Sequence, residues 1–179
     1  MFKRYTDGAK RVIFFAQYEA QQFGSRRIEP EHLLLGLIRE SPSRANLFFG
    51  LEKHATSFRV KIEQAYPPSS PLAKDTALPL SNASQRVLSY TATEADKLSS
   101  APIDTDHLVL GLLREEECFA ATLLSEIGLD FAKARKIVAP GAGPTSGPER
   151  KAISPFMGII LVVILLLAIY LVIKLALGK

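Results

Sequence analysis

Apolar residues recur at three- and four-residue steps through most of residues 1–139, and sustained period-two alternation is absent, so the pattern predicts helices rather than strands. Ala9, Val12, Ile13, Ala16, Ala20 and Phe23 share one helical face. They lie between Thr6, whose hydroxyl suits an N-cap, and Gly24, which ends the run. The opposite face carries Lys10, Phe14, Gln17, Tyr18 and Gln21. A second helix is predicted from Pro30, capped by Glu29, with Leu33, Leu34, Leu37 and Ile38 toward the core. Ser41-Pro42 opens a third through Phe48 and Phe49, and a fourth from about Ala55 to Tyr66 buries Phe58 and Ile62. Pro67-Pro68-Ser69-Ser70-Pro71 then breaks helical hydrogen bonding.

The same order of elements follows again. Ser81 stands where Thr6 stood, and Val87, Leu88, Thr91, Ala95 and Leu98 form the next apolar face. Pro102 separates it from a helix capped by Asp104 or Thr105. Two more helices cross Phe119, Leu123 and Leu124 to Gly128, then Phe131, Ile137 and Val138. Glu31-His32-Leu33-Leu34-Leu35-Gly36-Leu37-Ile38-Arg39-Glu40 returns as Asp106-His107-Leu108-Val109-Leu110-Gly111-Leu112-Leu113-Arg114-Glu115. Arg11–Glu40 set against Arg86–Glu115 gives roughly 13 identities in 30 without a gap, the mark of an internal repeat. Gly36 and Gly111 each cost a helix about 1 kcal/mol relative to alanine. A crossing backbone at that point would explain both. The segments are therefore repeat 1 over 1–66, a linker over 67–77 and repeat 2 over 78–139.

The C-terminal part changes this picture. Residues 140–152 are rich in Pro, Gly, Ser and Thr and read as a flexible linker. From Phe156 to Ile173 there is no charge, and 153–177 as a helix is long enough for the roughly 30 Å hydrocarbon layer, so a single transmembrane helix is expected. The first residues lack the apolar run of a secretory signal, so the expectation is a tail-anchored protein with its N-terminal part in the cytoplasm. The chain carries a formal charge of +4, yet residues 1–148 hold 18 basic and 17 acidic side chains, which gives no reason to expect a nucleic-acid partner. Cys118 is the sole cysteine and cannot form an intramolecular disulfide.

Little in the sequence suggests catalysis. Gly141-Ala142-Gly143-Pro144-Thr145-Ser146-Gly147 resembles a phosphate loop only in its glycines: no Gly-Lys-Ser/Thr follows and no strand precedes it. His32, His54 and His107 are not spaced as a metal set, and no nucleophile sits in a recognisable turn. Glu115-Glu116-Glu117 reads as a solvated helix end. No catalytic residue, metal or cofactor is expected.

Tyr5-Thr6-Asp7-Gly8-Ala9-Lys10-Arg11-Val12 with Glu29–Glu40, and Leu80-Ser81 with Asp104–Glu115, resemble the N-terminal double repeat of the Clp protein unfoldases, especially the C-type, across residues 5–139. The resemblance implies an all-α fold: a pseudo-twofold pair of four-helix repeats that receives protein substrates or adaptors, including those of a Clp ATPase–protease. It also implies protein-binding residues at Thr6 and Glu31 in repeat 1 and at Ser81 and Asp106 in repeat 2. In C-type domains the matching positions are associated with phosphoarginine-marked proteins. Helix N-termini suit phosphate, and a carboxylate suits a guanidinium. Two departures bear on this: the second pair is shortened to Ser81 and Asp106, and Glu29 and Asp104 stand where that family has glycine. Phe14 and Tyr18 are a further candidate contact surface, because their counterparts in repeat 2 are Ser89 and Thr93. The expected protein is thus a membrane-anchored, non-catalytic binding module. A regulatory hydrolase or a self-associating structural protein on the same helices is the alternative.

Overall fold

Thr6 starts the first helix as its hydroxyl suggests. In the computed structural model, which describes residues 2–139 apart from 74 and 101, its Oγ1 accepts from the Ala9 N–H at 3.2 Å. Eight helices occupy the described residues. Repeat 1 contributes α1 (Asp7–Gln22), α2 (Pro30–Glu40), α3 (Pro42–Phe49) and α4 (Leu51–Ala65). Repeat 2 contributes α5 (Asn82–Lys97), α6 (Thr105–Arg114), α7 (Phe119–Glu126) and α8 (Phe131–Val138). The all-α expectation holds, and α4 begins four residues earlier than its apolar pattern suggests, at the left-handed Gly50 (φ 58°).

Each repeat is built on one close helix pair, α1 on α2 and α5 on α6. A Cβ built on Gly36 would lie 2.5 Å from the Val12 carbonyl oxygen and 2.8 Å from the Ala16 nitrogen. One built on Gly111 would lie 2.5 Å from the Val87 carbonyl oxygen. The crossing backbones inferred from the repeated glycine are therefore present. Around these crossings Val12, Leu34, Val87, Leu110 and Leu112 are fully buried, each contributing about 1.5–3 kcal/mol of apolar transfer.

Short extended segments join the repeats crosswise. Tyr5 forms a parallel bridge with Ile103, and Ile28 forms one with Leu80. The Thr6 N–H donates to the Ile103 carbonyl at 2.9 Å, and the Ser81 N–H donates to the Ile28 carbonyl at 3.0 Å. These isolated bridges have no strand pattern to announce them. The inter-repeat linker also returns to repeat 1. The Leu72 N–H donates to the Gln21 carbonyl, and the buried Gln21 Nε2 donates to the Thr76 carbonyl at 2.8 Å. Gln21 is thus covered by the linker rather than solvated, as the polarity of its face had suggested.

The expected transmembrane helix falls within 140–179 and lies outside the described residues. Among the described residues no helix is long and apolar enough to cross a membrane.

Candidate functional site

Because the extended segments cross, the start of α1 sits beside the start of α6, and the start of α5 beside the start of α2. Thr6 Oγ1 donates to Asp104 Oδ1 at 3.3 Å, and a Cβ on Gly8 would come within 3.6 Å of the Thr105 methyl. Ser81 caps α5 through the Ser84 N–H at 3.1 Å, next to Ile28 and the Glu29 turn. The sequence pairs Thr6 with Glu31 and Ser81 with Asp106, within repeats. The structure instead brings Thr6 to the Asp106 turn and Ser81 to the Glu31 turn. Repeat symmetry built from two chains of extended contacts exchanges the partners.

Both acid-bearing turns are held by the same local device. The Glu29 N–H donates to His32 Nδ1 at 2.9 Å, and the Asp104 N–H donates to His107 Nδ1 at 3.0 Å. Each helix thereby gains a capping box closed by an imidazole. Burial pushes the His32 pKa down to about 4, against a smaller upward pull from Glu19, and burial lowers His107 as well. A neutral imidazole is what the bond requires, since Nδ1 must accept.

The Glu31 turn borders an open cavity of about 560 Å³, lined among others by Glu29, Pro30, Tyr66, Ala83, Cys118 and Phe119. Glu31 is only 6% exposed, and among the described residues it has no cationic partner. Burial raises its carboxyl pKa and the Glu29 charge adds to the rise, while the backbone N–H groups of Glu31, Ala120 and Phe119 pull it down. The cavity therefore holds a buried, uncompensated carboxylate, the state that a guanidinium or ammonium relieves. Cys118 caps α7 through the Ala121 N–H at 3.4 Å, and burial pushes its thiol up to about 11, which suits a structural thiol better than a nucleophile.

Asp106 stands differently. Arg44 on α3 forks onto it: Nε donates to Oδ1 at 2.9 Å and a terminal nitrogen bonds Oδ2. Neither side chain is more than 16% exposed. Sequence reasoning missed Arg44. The signal was present, because the repeat register sets Arg44 against Phe119 and Ala45 against Ala120.

The other expected contact surface divides. Phe14 is 65% exposed, touching Phe15 edge-on. Tyr18 is half-buried, with the Arg39 guanidinium 4.4 Å over its ring. Glu115 departs from the solvated reading: it is buried and bonded by Arg86, whereas Glu116 and Glu117 are exposed. Among the described residues no group of three or more His, Cys, Asp or Glu is placed to hold a metal ion.

Two fused helical repeats with exchanged starts and paired acidic turns define a double-repeat helical domain. The chain belongs to the Clp repeat (R) N-terminal domain family, whose pattern matches residues 4–127. It is 35% identical over 147 residues to the ATP-dependent Clp protease ATP-binding subunit ClpA homolog of Guillardia theta, covering 82% of this chain and 18% of that protein. It is 32% identical over 139 residues to the negative regulator of genetic competence ClpC/MecB of Bacillus subtilis (strain 168), covering 77% of this chain and 17% of that protein. The chain thus spans less than a fifth of the length of these relatives. In fold it is similar to the N-terminal domain of ClpD from Arabidopsis thaliana, with TM-score 0.62, 24% identity, and 77% and 95% of the two chains covered. It is likewise similar to the Hsp104 N-terminal domain from Candida albicans, with TM-score 0.62, 17% identity, and 82% and 98% covered.

Proposed function

We propose that this chain is a non-catalytic protein-binding module that takes a cationic side chain of a substrate or adaptor segment into the cavity at Glu31. The observation that carries this reading is the buried Glu31 carboxylate, without a cation, facing a cavity of about 560 Å³. A guanidinium fits such a carboxylate as a charge-assisted fork, and Tyr66 lines the cavity beside it. Family membership supports the protein-binding class, and the names of the relatives support looking for the partner within a Clp ATPase–protease. Glu29 and Glu117 line the same cavity, and each would repel a phosphoryl group by a screened amount on the order of 1 kcal/mol. Plain arginine is therefore the preferred ligand over phosphoarginine.

Calorimetry of the purified protein tests this with three peptides that differ only in arginine, phosphoarginine or citrulline at one position. Binding of the arginine peptide, lost with citrulline and in Glu31→Gln, is expected. Glu29→Gly should improve the phosphoarginine peptide selectively. Equal binding of all three peptides would remove Glu31 from the recognition site.

The uncharged run from Phe156 to Ile173 supports a second element of the reading, attachment of the domain to a membrane on its cytoplasmic face. Alkaline extraction of cell membranes followed by protease treatment of intact cells tests it. Release of the protein into the carbonate supernatant, or cleavage of residues 2–139 from outside, would overturn it.

A further inference from the structure

We propose that Arg44 is an internal ligand: it fills on Asp106 the place that a partner's cationic side chain takes on Glu31, so the chain keeps one of two pseudo-equivalent sites closed to partners. The inference rests on the reading of the Glu31 cavity given above. Glu31 and Asp106 are repeat mates in the first turns of α2 and α6, each behind a His-closed capping box and beside the start of the other repeat's first helix. The helices facing them are repeat mates too. The start of α7 lies against Glu31 through the Phe119 and Ala120 N–H groups, and α3 lies against Asp106 through Arg44. Within that shared geometry one facing position differs in kind. Repeat 2 places Phe119 there, which packs edge-on against Tyr66 at 5.8 Å and leaves the cavity at Glu31 open. Repeat 1 places Arg44 there, and its guanidinium forks onto the carboxylate.

The contact has the character of a bound ligand rather than a surface ion pair. Arg44 and Asp106 side chains are 16% and 10% exposed, whereas the arginines on Glu19 are both above 40% exposed. Asp106 is also one methylene shorter than Glu31, which leaves room for a guanidinium arriving from the neighbouring α3. A buried carboxylate held by an internal guanidinium cannot accept an external one without breaking that fork. The same pair gives the expected mode at the open site: a planar guanidinium presented side-on, through Nε and one terminal nitrogen.

Amide NMR on the purified full chain, titrated with a short peptide carrying one arginine and with its citrulline counterpart, tests the proposal. Shifts near Ser81 and Phe119 report the Glu31 site, and shifts near Thr6 and Thr105 report the Asp106 site. The wild type should saturate at the first site alone. Arg44→Met, which keeps the apolar stem and removes the guanidinium, should add saturable shifts at the second site, lost in Arg44→Met/Asp106→Asn and weakened about tenfold or more with citrulline. Arg44→Gln, which retains a neutral donor for Asp106, serves as the milder variant should the Met protein lose its native spectrum. Wild-type shifts at both sites, or no second site in a natively folded Arg44 variant, would overturn the internal-ligand role while leaving the Glu31 reading intact. The converse is equally distinct: no wild-type binding, with an Asp106-dependent site gained in Arg44→Met, would sink the Glu31 reading and support the internal ligand.

Discussion

Arg39 at the end of α2 donates to the buried carboxylate of Glu19 in α1 at 3.1 Å. Arg59 from α4 holds the other oxygen at 2.7 Å, so three helices of repeat 1 meet on one charge. Repeat 2 keeps half of the arrangement: Arg114 donates to Glu94 at 2.9 Å, while Arg135 from α8 stands 3.8 Å from its second oxygen without a hydrogen bond. Either arginine alone leaves Glu19 partnered. Arg39→Ala and Arg59→Ala should each cost about 1 kcal/mol in urea unfolding, while the double variant costs about 3–5 kcal/mol because it strands a buried carboxylate. Strict additivity would show that solvent already compensates Glu19.

Ser99 offers a gain in stability. It closes α5 with φ 54°, the left-handed region, as Gly24 closes α1 with φ 67°. Both ends make the same bonds: Gly24 to Gln21 and Ser25 to Ala20, then Ser99 to Asp96 and Ser100 to Ala95. A serine there carries the Cβ penalty that glycine avoids. Ser99→Gly should stabilise the fold by about 1 kcal/mol, visible as a higher urea midpoint at unchanged slope.

The helices were legible because nearly every core position repeats at helical spacing, and the repeat itself supplied a second reading of each. Gly36 is the clearest case: one glycine in a helix is weak evidence, yet its return as Gly111 pointed to the close crossing that is found. The site was legible only by residue. Thr6, Ser81, Glu31 and Asp106 all lie at acidic or hydroxyl helix starts, but their partners are exchanged between repeats. No periodicity encodes which repeat's extended segment reaches which turn. Arg44 escaped notice for a different reason: a charge in the first turn of a short helix reads as solvated until a buried acid is found opposite.

The exposed aromatics of α1 separate by what covers them. Phe14→Ser removes a ring that is 65% exposed and should change stability by no more than about 0.5 kcal/mol. Tyr18→Ser removes the ring beneath Arg39 and should cost about 1 kcal/mol. A partner that binds this face would then be weakened by Phe14→Ser in a protein of native stability. A loss of several kcal/mol from Phe14→Ser alone would contradict its exposed placement.

Acid sensitivity should trace in part to His32. Burial holds its folded pKa at about 4, below the ordinary 6.5, so between those values the unfolded chain binds the extra proton. The stability it contributes is present above pH 6.5 and is lost as pH falls toward 4, at about 1.4 kcal/mol per unit once the unfolded imidazole is charged. Protonation also removes the acceptor for the Glu29 N–H. His32→Asn, which keeps a side-chain acceptor, should flatten the fall in urea midpoint between pH 7 and pH 5. An unchanged slope would assign the acid loss to other groups.

Glu31 should behave oppositely in stability and in binding. Burial raises its folded pKa above the ordinary 4.5, so the stability linked to its proton is present below that value and lost as pH rises through the folded pKa. At neutral pH the ionised side chain therefore weakens the fold that holds it. Glu31→Gln keeps an oxygen for the Phe119 and Ala120 N–H groups and discards the charge. Its urea midpoint at pH 7 should rise above that of the wild type, and the gap should close as pH falls toward 4.5. The same variant should lose the arginine peptide, because a neutral amide gives a guanidinium no ion pair. A residue retained for packing alone would show the reverse: a lower midpoint and no selective effect on the arginine peptide over its citrulline control.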